Sequence, residues 1–459
     1  MRATSNCCQV RGAPYSDGVT NTVPSAELSA AGVDAATRVL EPYVLRTPLD
    51  HSPRLSATIG ADVLLKRENR QVTRSYKVRG AFHLISGLSA EERARGVVCA
   101  SAGNHGQGVA WSCARLGIAG RVIVPGNTPR QKRERILTLG EGLVELVVSG
   151  SSYDEAGATA LADADRTGAV FAHPFDDVRT ILGQGTVAHE VVEQCREQTG
   201  QDPAVVYVPV GGGGLLAGIS LWLREHCPAT RIIGVEPAGA ASMTAALAAG
   251  GPVRLATVDT FVDGAAVGKV GAVPYPVVRD LVDEVITVPE GAVCTEMLNL
   301  YQVEGIITEP AGALASTGAV AVHRRGSSSE RSERVETGEH VETSGPIVCI
   351  VSGGNNDVSR YSEIVERSLL HEGLRHYFLV TFPQEPGALR RFLDEVLIEG
   401  EDIVTFEYIK KNNRETGPAL VGIDLPTAGH LSPLLARMET SPIRIERVPP
   451  GSALFAFLT

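Results

Sequence analysis

Lys77 stands in Arg74-Ser-Tyr-Lys-Val-Arg-Gly-Ala81, with a serine and a tyrosine before it and a glycine three residues after it. A lysine in water is a solvated cation, but one held in a shaped, desolvated site can lose its proton and condense with an aldehyde. An aldehyde cofactor must then be fixed at a second point, and a phosphate supplies one. Tyr207-Val-Pro-Val210 leads into Gly211, Gly212, Gly213 and Gly214, after which Leu215 to Leu223 has a helical pattern. Successive unbranched residues let backbone N–H groups converge, and a helix start adds unsatisfied donors of its own. The run lacks the Gly-Lys-Ser/Thr ending of a nucleotide P-loop and the spaced glycines of a dinucleotide fingerprint. By itself it also fits a flexible turn. Lys77 and the glycine run support each other, because each supplies what the other needs.

Two more polar turns belong with them. Ser101, Ala102, Gly103, Asn104, His105 and Gly106 follow an apolar strand and precede a helix, where ligands bind in open α/β sheets. Gly103 permits close approach, while Asn104 and the local amides can hold a substrate carboxylate or a ring oxygen. His105 fits either packing with a loop hydrogen bond or proton transfer. Ser352-Gly-Gly-Asn-Asn356 follows another apolar strand, and its hydroxyl can face a ring nitrogen.

These turns need a scaffold, and from about residue 95 the sequence provides one. Gly96–Ala100, Arg121–Val124, Leu143–Val148, Ala204–Val208, Arg231–Val235 and Pro346–Val351 read as strands; helices are expected at Gly106–Arg115 and Gln131–Leu139. Near-continuous Val and Ile runs, without alternation, belong to strands covered on both faces. The expectation is an α/β fold with a mostly parallel sheet. Arg324 to Gly345 is crowded with Arg, Ser, Glu and Thr and reads as an exposed, mobile insertion, with a solvated loop of no particular role as the plain alternative. Beyond residue 372 the texture changes to a small α+β module. It has strands at His376–Phe382, Ile403–Ile409, Ala419–Ile423 and a final Ile443–Glu446, and helices at Ala388–Ile398 and Ser432–Met438. Leu389, Phe392, Leu393 and Val396 are expected on one apolar helix face. No residue in it suggests nucleophilic or acid/base work.

The bulk numbers agree with an enzyme of several domains. A chain of 459 residues with 43% hydrophobic and 21% charged residues can bury more than one core. With 42 Lys plus Arg against 53 Asp plus Glu, the charge of −11 argues against nucleic-acid or anionic-membrane partners. The 8 cysteines include no Cys-x-x-Cys pair, and buried free thiols in a reducing, cytoplasmic setting are expected. Residues 1–25 lack an apolar run and read as a mobile extension without signal peptide or anchor.

Ser75-Tyr-Lys-Val-Arg-Gly-Ala81, Ser101-Ala-Gly-Asn-His-Gly-Gln107, Gly211–Leu215, Glu309-Pro-Ala-Gly-Ala313 and Ser352-Gly-Gly-Asn-Asn356, in this order, resemble the pyridoxal-phosphate threonine/serine dehydratase family. Phe382-Pro-Gln-Glu-Pro-Gly-Ala-Leu389 resembles the ACT-like regulatory domain of its short biosynthetic branch. The resemblance implies a two-domain fold type II (tryptophan synthase beta-like) catalytic region over 26–371 and an ACT-like domain over 372–459. The smaller catalytic subdomain would lie around 85–180 and the larger would use both flanks.

The same resemblance implies pyridoxal 5'-phosphate linked to Lys77, the catalytic lysine, with Gly211, Gly212, Gly213, Gly214 and Leu215 as phosphate loop. Asn104 falls at the ring oxygen, Ser352 at the ring nitrogen, and Ser101, Ala102, Gly103, Asn104 and His105 at the substrate. It further implies deamination of L-threonine to 2-oxobutanoate and ammonia, with serine deamination as the alternative within the family. Inhibition by isoleucine, relief by valine and a homotetramer also follow from it. A non-catalytic amino-acid-binding regulator is the alternative outside enzymology. Where serine-racemase-like relatives carry a divalent-metal site ending in a carboxylate, Glu236-Pro-Ala-Gly-Ala-Ala-Ser242 ends in a serine, so no metal is expected.

Overall fold

A computed structural model describes residues 27–327, 345–408, 415–450, 452, 454 and 455. The expected extension over 1–25 lies outside them, as does most of the expected insertion. Residues 324–327, read above as the start of that insertion, instead end the helix Pro310–Ser327.

In chain order the strands are β1 (Leu49–His51), β2 (Val63–Arg67), β3 (Val97–Ala100), β4 (Gly120–Val124), β5 (Val144–Val148), β6 (Val170–Phe171) and β7 (Val205–Pro209). They continue with β8 (Arg231–Pro237), β9 (Glu284–Val288), β10 (Ile347–Val351), β11 (Arg375–Pro383), β12 (Asp402–Tyr408), β13 (Thr416–Asp424) and β14 (Arg444–Arg447). A 6-stranded sheet has the order β1-β2-β10-β7-β8-β9 and is parallel except for β1. A 4-stranded parallel sheet, β5-β4-β3-β6, is built wholly from residues that interrupt the larger one. The third sheet, β12-β13-β11-β14, is antiparallel.

The Val and Ile runs form strands because both faces of each parallel sheet are covered. In β7, Val206 and Val208 pack in one core with helices Val178–Thr199 and Gly214–His226, while Val205 and Tyr207 face the core beneath Pro310–Ser327. In the small sheet Val97 and Cys99 face the helix Asn104–Leu116, and Val98 and Ala100 face the helix Tyr153–Thr167. Such two-sided burial favours the β-branched, unbroken runs seen in the sequence.

Lys77–Ser86 is the helix that joins the two parallel sheets. Its Ala81, Leu84 and Ile85 enter the small-sheet core, while its other side packs on the helix Val178–Thr199. A Cβ on Gly80 would lie 2.7 Å from the Thr180 carbonyl oxygen, so the glycine after Arg79 allows backbone contact between these helices.

Four strands lie outside the sequence expectation. β2 is one of them: the sequence Val-Leu-Leu-Lys-Arg ends in two cations, yet Lys66 is completely buried. Its Nζ donates to Glu190 Oε2 at 2.6 Å, Gln194 Oε1 at 2.8 Å and the Thr47 carbonyl at 2.7 Å. β1 and β6, at 3 and 2 residues, are too short to show a pattern, whereas β9, Glu-Val-Ile-Thr-Val, has ordinary strand composition and lies outside the sequence expectation all the same.

In the C-terminal unit, helices Ala388–Val396 and Leu431–Thr440 cover one face of the antiparallel sheet over Phe378, Val380 and Phe382. The expected apolar helix face needs correcting. Ala388, Phe392 and Val396 are buried, whereas Leu389 and Leu393 are 42% and 40% exposed. Among the described residues no helix is long and apolar enough to cross a membrane.

Candidate active site

Lys77 is the first residue of its helix, and its Nζ donates to the Pro174 carbonyl at 3.1 Å. Loss of water lowers its pKa from 10.5 to about 8, against the opposing pull of the Glu309 carboxylate. Two residues on, Arg79 points into the protein and is fully buried. It donates to Glu68 from Nε and Nη2, both at 2.8 Å, and to Glu190 from Nη1 at 2.7 Å and Nη2 at 3.0 Å. Burial alone would depress this guanidinium, but the two carboxylates outweigh it and push it up. Arg79 therefore anchors the helix that presents Lys77.

Pro174 and Phe175 connect the lysine to the glycine run. The Pro174 carbonyl also accepts from Gln184 Nε2 at 3.0 Å. A Cβ on Gly212 would lie 2.2 Å from the Phe175 ring, and one on Gly214 would lie 3.0 Å from the Phe175 Cα. Gly213 has φ +94, a conformation that glycine adopts without strain, and it begins the helix Gly214–His226. The run is thus a packed, specific turn with a helix N-terminus, and the flexible-turn alternative does not describe it. The Leu215 side chain lies in the large-sheet core, which leaves its backbone amide as what it can offer a ligand.

The other turns converge on the same place. Ser75 bridges to Gly353, and Tyr76 N–H donates to the Ser352 carbonyl at 3.1 Å, so the Ser352 turn lies against the segment before Lys77. The Ser352 hydroxyl donates to the Ala311 carbonyl at 3.2 Å, leaving its oxygen free to accept. At the small sheet, Ser101 Oγ accepts from Gly103 N–H at 3.3 Å, shaping the Ser101-Ala102-Gly103 turn. Asn104 opens the helix there, two residues earlier than periodicity suggested. His105 Nε2 donates to the Ala172 carbonyl at 2.7 Å, and burial, with Lys77 nearby, lowers its pKa to about 3. A neutral imidazole committed to a carbonyl is a packing group, the first of the two readings of His105.

Two residues without an expected role join this cluster. Asn104 Nδ2 donates to Glu309 Oε1 at 2.5 Å, and Asn104 Oδ1 accepts from Asn355 Nδ2 at 2.7 Å. Burial, with Asp263 close by, raises the Glu309 pKa to about 7. Glu309 and Asn355 belong to the large-sheet body and Asn104 to the small sheet, so the triad crosses the cleft. The Glu309-Pro-Ala-Gly motif was visible in sequence, but nothing local announced a contact to Asn104, 205 positions away. The Glu236 carboxylate, in the segment compared above with metal-binding relatives, accepts from Met243 N–H at 2.7 Å, Thr244 N–H at 2.8 Å and Thr244 Oγ1 at 2.7 Å, capping the helix Ser242–Ala249.

Known proteins share this architecture. The family profile "Pyridoxal-phosphate dependent enzyme" matches residues 40–336, and "C-terminal regulatory domain of Threonine dehydratase" matches 366–458. The chain is 54% identical over 437 residues to biosynthetic L-threonine dehydratase IlvA of Mycobacterium tuberculosis, covering 95% of this chain and 97% of that one. It is 44% identical over 415 residues to the Bacillus subtilis protein of the same name, covering 90% and 94%. Among solved structures, the processed form of threonine deaminase isoform 2 from Solanum lycopersicum superposes with TM-score 0.67 and 35% identity, covering 74% of this chain and 93% of that one. With sheets, cleft lysine and glycine turn arranged as described, the chain belongs to the pyridoxal-phosphate-dependent enzymes, and among them to the biosynthetic threonine dehydratase family.

Proposed function

We propose that this chain converts L-threonine into 2-oxobutanoate and ammonia, the first step of isoleucine biosynthesis. The observation that carries the reading is a desolvated Lys77 amine, its pKa lowered to about 8, joined through Pro174 and Phe175 to the glycine turn. The residues present fit pyridoxal phosphate. Any Cβ at Gly212 would collide with Phe175, the helix start beyond it supplies unpaired N–H donors, and the buried Ser75 Oγ beside Lys77 has no hydrogen-bond partner. The bound cofactor supplies a sink for the electrons left when the substrate Cα–H bond breaks.

The protein's own groups do the rest. Lys77 Nζ would hold the cofactor through its aldehyde and, as a free amine, would take the substrate α-proton. The backbone of Gly211 to Leu215 would hold the phosphate. Asn104 would donate its remaining N–H to the ring oxygen, and Ser352 Oγ, free to accept, would face the ring nitrogen. Ser101 to His105 receive the substrate carboxylate on helix-start amides. Threonine then loses its β-hydroxyl as water, and the dehydrated amino acid takes up one water and releases ammonia, so no net water is consumed.

The catalytic region is assigned to 26–371, with a small subdomain around 85–180, and the regulatory domain to 372–459. That domain is proposed to sense isoleucine, with valine opposing it, in a cytoplasmic homotetramer. The apolar exposure of Leu389, Leu393 and Phe406, the last at 37%, supports pairing of regulatory domains between subunits. Six free, buried cysteines among the described residues support a reducing compartment.

The test is product formation at equal substrate concentrations. The expected result is 2-oxobutanoate from threonine with kcat/KM above that for pyruvate from serine, loss of both in Lys77→Ala, and less turnover when isoleucine is added. A higher kcat/KM for serine overturns the substrate assignment, and full activity in Lys77→Ala overturns the role of the lysine.

A further inference from the structure

The amide of Asn104 has a determined orientation, and the residues that determine it lie outside the sequence motif that contains it. Asn355 Nδ2 makes two contacts: one at 2.9 Å to the Thr73 carbonyl, the other at 2.7 Å to Asn104 Oδ1. A backbone carbonyl only accepts, so the nitrogen end of Asn355 must lie at Thr73, and its second hydrogen must go to Asn104. The Asn104 oxygen is thereby fixed toward Asn355, and its nitrogen toward Glu309 Oε1 at 2.5 Å. Glu309 is itself held in place. Its N–H donates to the Gly353 carbonyl at 3.2 Å, and a Cβ on Gly353 would lie 2.2 Å from Glu309 Oε1. Thr73, Asn355 and Glu309 thus form one polarised chain that ends on an amide with a single unused N–H.

We propose that Glu309 and Asn355 are positioning residues that hold Asn104 in the one amide orientation that leaves a spare N–H donor for the cofactor. The inference rests on the function proposed above. If Asn104 flipped, it would present an oxygen where a donor is required, and two acceptors would face each other at Glu309. The chain crosses from the large-sheet body to the small sheet, so it also ties cofactor contact to the relative placement of the two halves of the cleft.

The experiment measures the dissociation constant of pyridoxal phosphate for the full-length apoprotein by fluorescence titration, and the visible circular dichroism of the bound cofactor. Asn355→Asp keeps the size of the side chain but cannot donate to Thr73 or Asn104. It should weaken the cofactor about tenfold, the loss of one well-placed hydrogen bond, and alter the dichroic band. Glu309→Ala should act similarly, whereas Glu309→Gln retains an acceptor and should stay within about threefold of the parent. In an Asn104→Ala background, Asn355→Asp should add less than about twofold, because its effect runs through the missing amide.

Parental affinity in Asn355→Asp overturns the proposal. So does an undiminished penalty in the Asn104→Ala background, which would signal simple charge repulsion. A parent protein that binds no pyridoxal phosphate overturns the proposed function as well; one that binds it while the variants behave additively overturns the positioning role alone.

Discussion

Lys77 is predicted to be far more reactive than any surface lysine of the same chain, before any cofactor is bound. With its pKa lowered from 10.5 to about 8, about half of its side chains are neutral at pH 8, against roughly 0.3% for a lysine at the ordinary value. The cause is loss of water, and the sign follows: burial penalises the ammonium and leaves the amine unchanged. Glu309 works in the opposite direction, because its carboxylate stabilises the ammonium. Apoprotein exposed to a small, constant dose of acetic anhydride across pH 6–10.5 should therefore acetylate Lys77 with an inflection near pH 8. Mass spectrometry can score this against the exposed Lys269 in the same sample. Glu309→Gln removes the opposing carboxylate and should move the inflection below that of the parent. An inflection above about pH 9.5 would refute the desolvation argument. An upward movement in Glu309→Gln would refute the assigned sign of the Glu309 interaction.

Arg79→Met removes the arginine shared by Glu68 and Glu190 and leaves two buried carboxylates with Lys66 as their nearby cation. Breaking a buried ion pair from one side costs about 3–5 kcal/mol. The melting temperature of the apoprotein should fall by roughly 5 °C, and a fall under about 2 °C would show that the network is not an anchor. Gly212→Ala places a Cβ 2.2 Å from the Phe175 ring, which must move and disturb Pro174 and Lys77 with it. Its cofactor affinity should fall at least about tenfold with little change in far-ultraviolet circular dichroism; retention of parental affinity would show that the turn is looser than its packing indicates.

The doubly covered strands β3, β4, β7, β8 and β10 were legible because two-sided burial writes itself as an unbroken Val and Ile run. β2 was not. Its Lys66 is compatible with an interior strand because partners distant in sequence meet it, above all Glu190, which sits 124 positions away on another helix. A charge whose partner is that distant looks like a surface residue in any local window. The amphipathic helix of the C-terminal unit failed in the opposite direction. Leu389 and Leu393 share the expected apolar helix face with Phe392 and Val396, yet the sheet covers only the Ala388, Phe392 and Val396 stripe. Helical period places residues on a face but does not say how wide the opposing surface is.

The candidate site divides along the same physical line. Lys77, Asn104, the glycine turn and Ser352 are visible because backbone geometry demands particular residues at adjacent positions. Glu309 and Asn355 act through contacts that only the closed fold creates. The motif Lys-Val-Arg-Gly joins both kinds of information. Successive helical residues are about 100° apart, so Lys77 and Arg79 point in different directions from one helix. Arg79 meets two carboxylates and its charge is locally compensated, whereas Lys77 meets a carbonyl oxygen and, more distantly, one carboxylate. The anchor can therefore be a permanent cation without raising the cost of charging its neighbour. An uncompensated guanidinium at position 79 would drive the Lys77 pKa still lower, and a neutral residue there would release the helix. A buried arginine with two acids of its own fixes the lysine in space while leaving its protonation to water and Glu309, which is the balance the acetylation experiment measures.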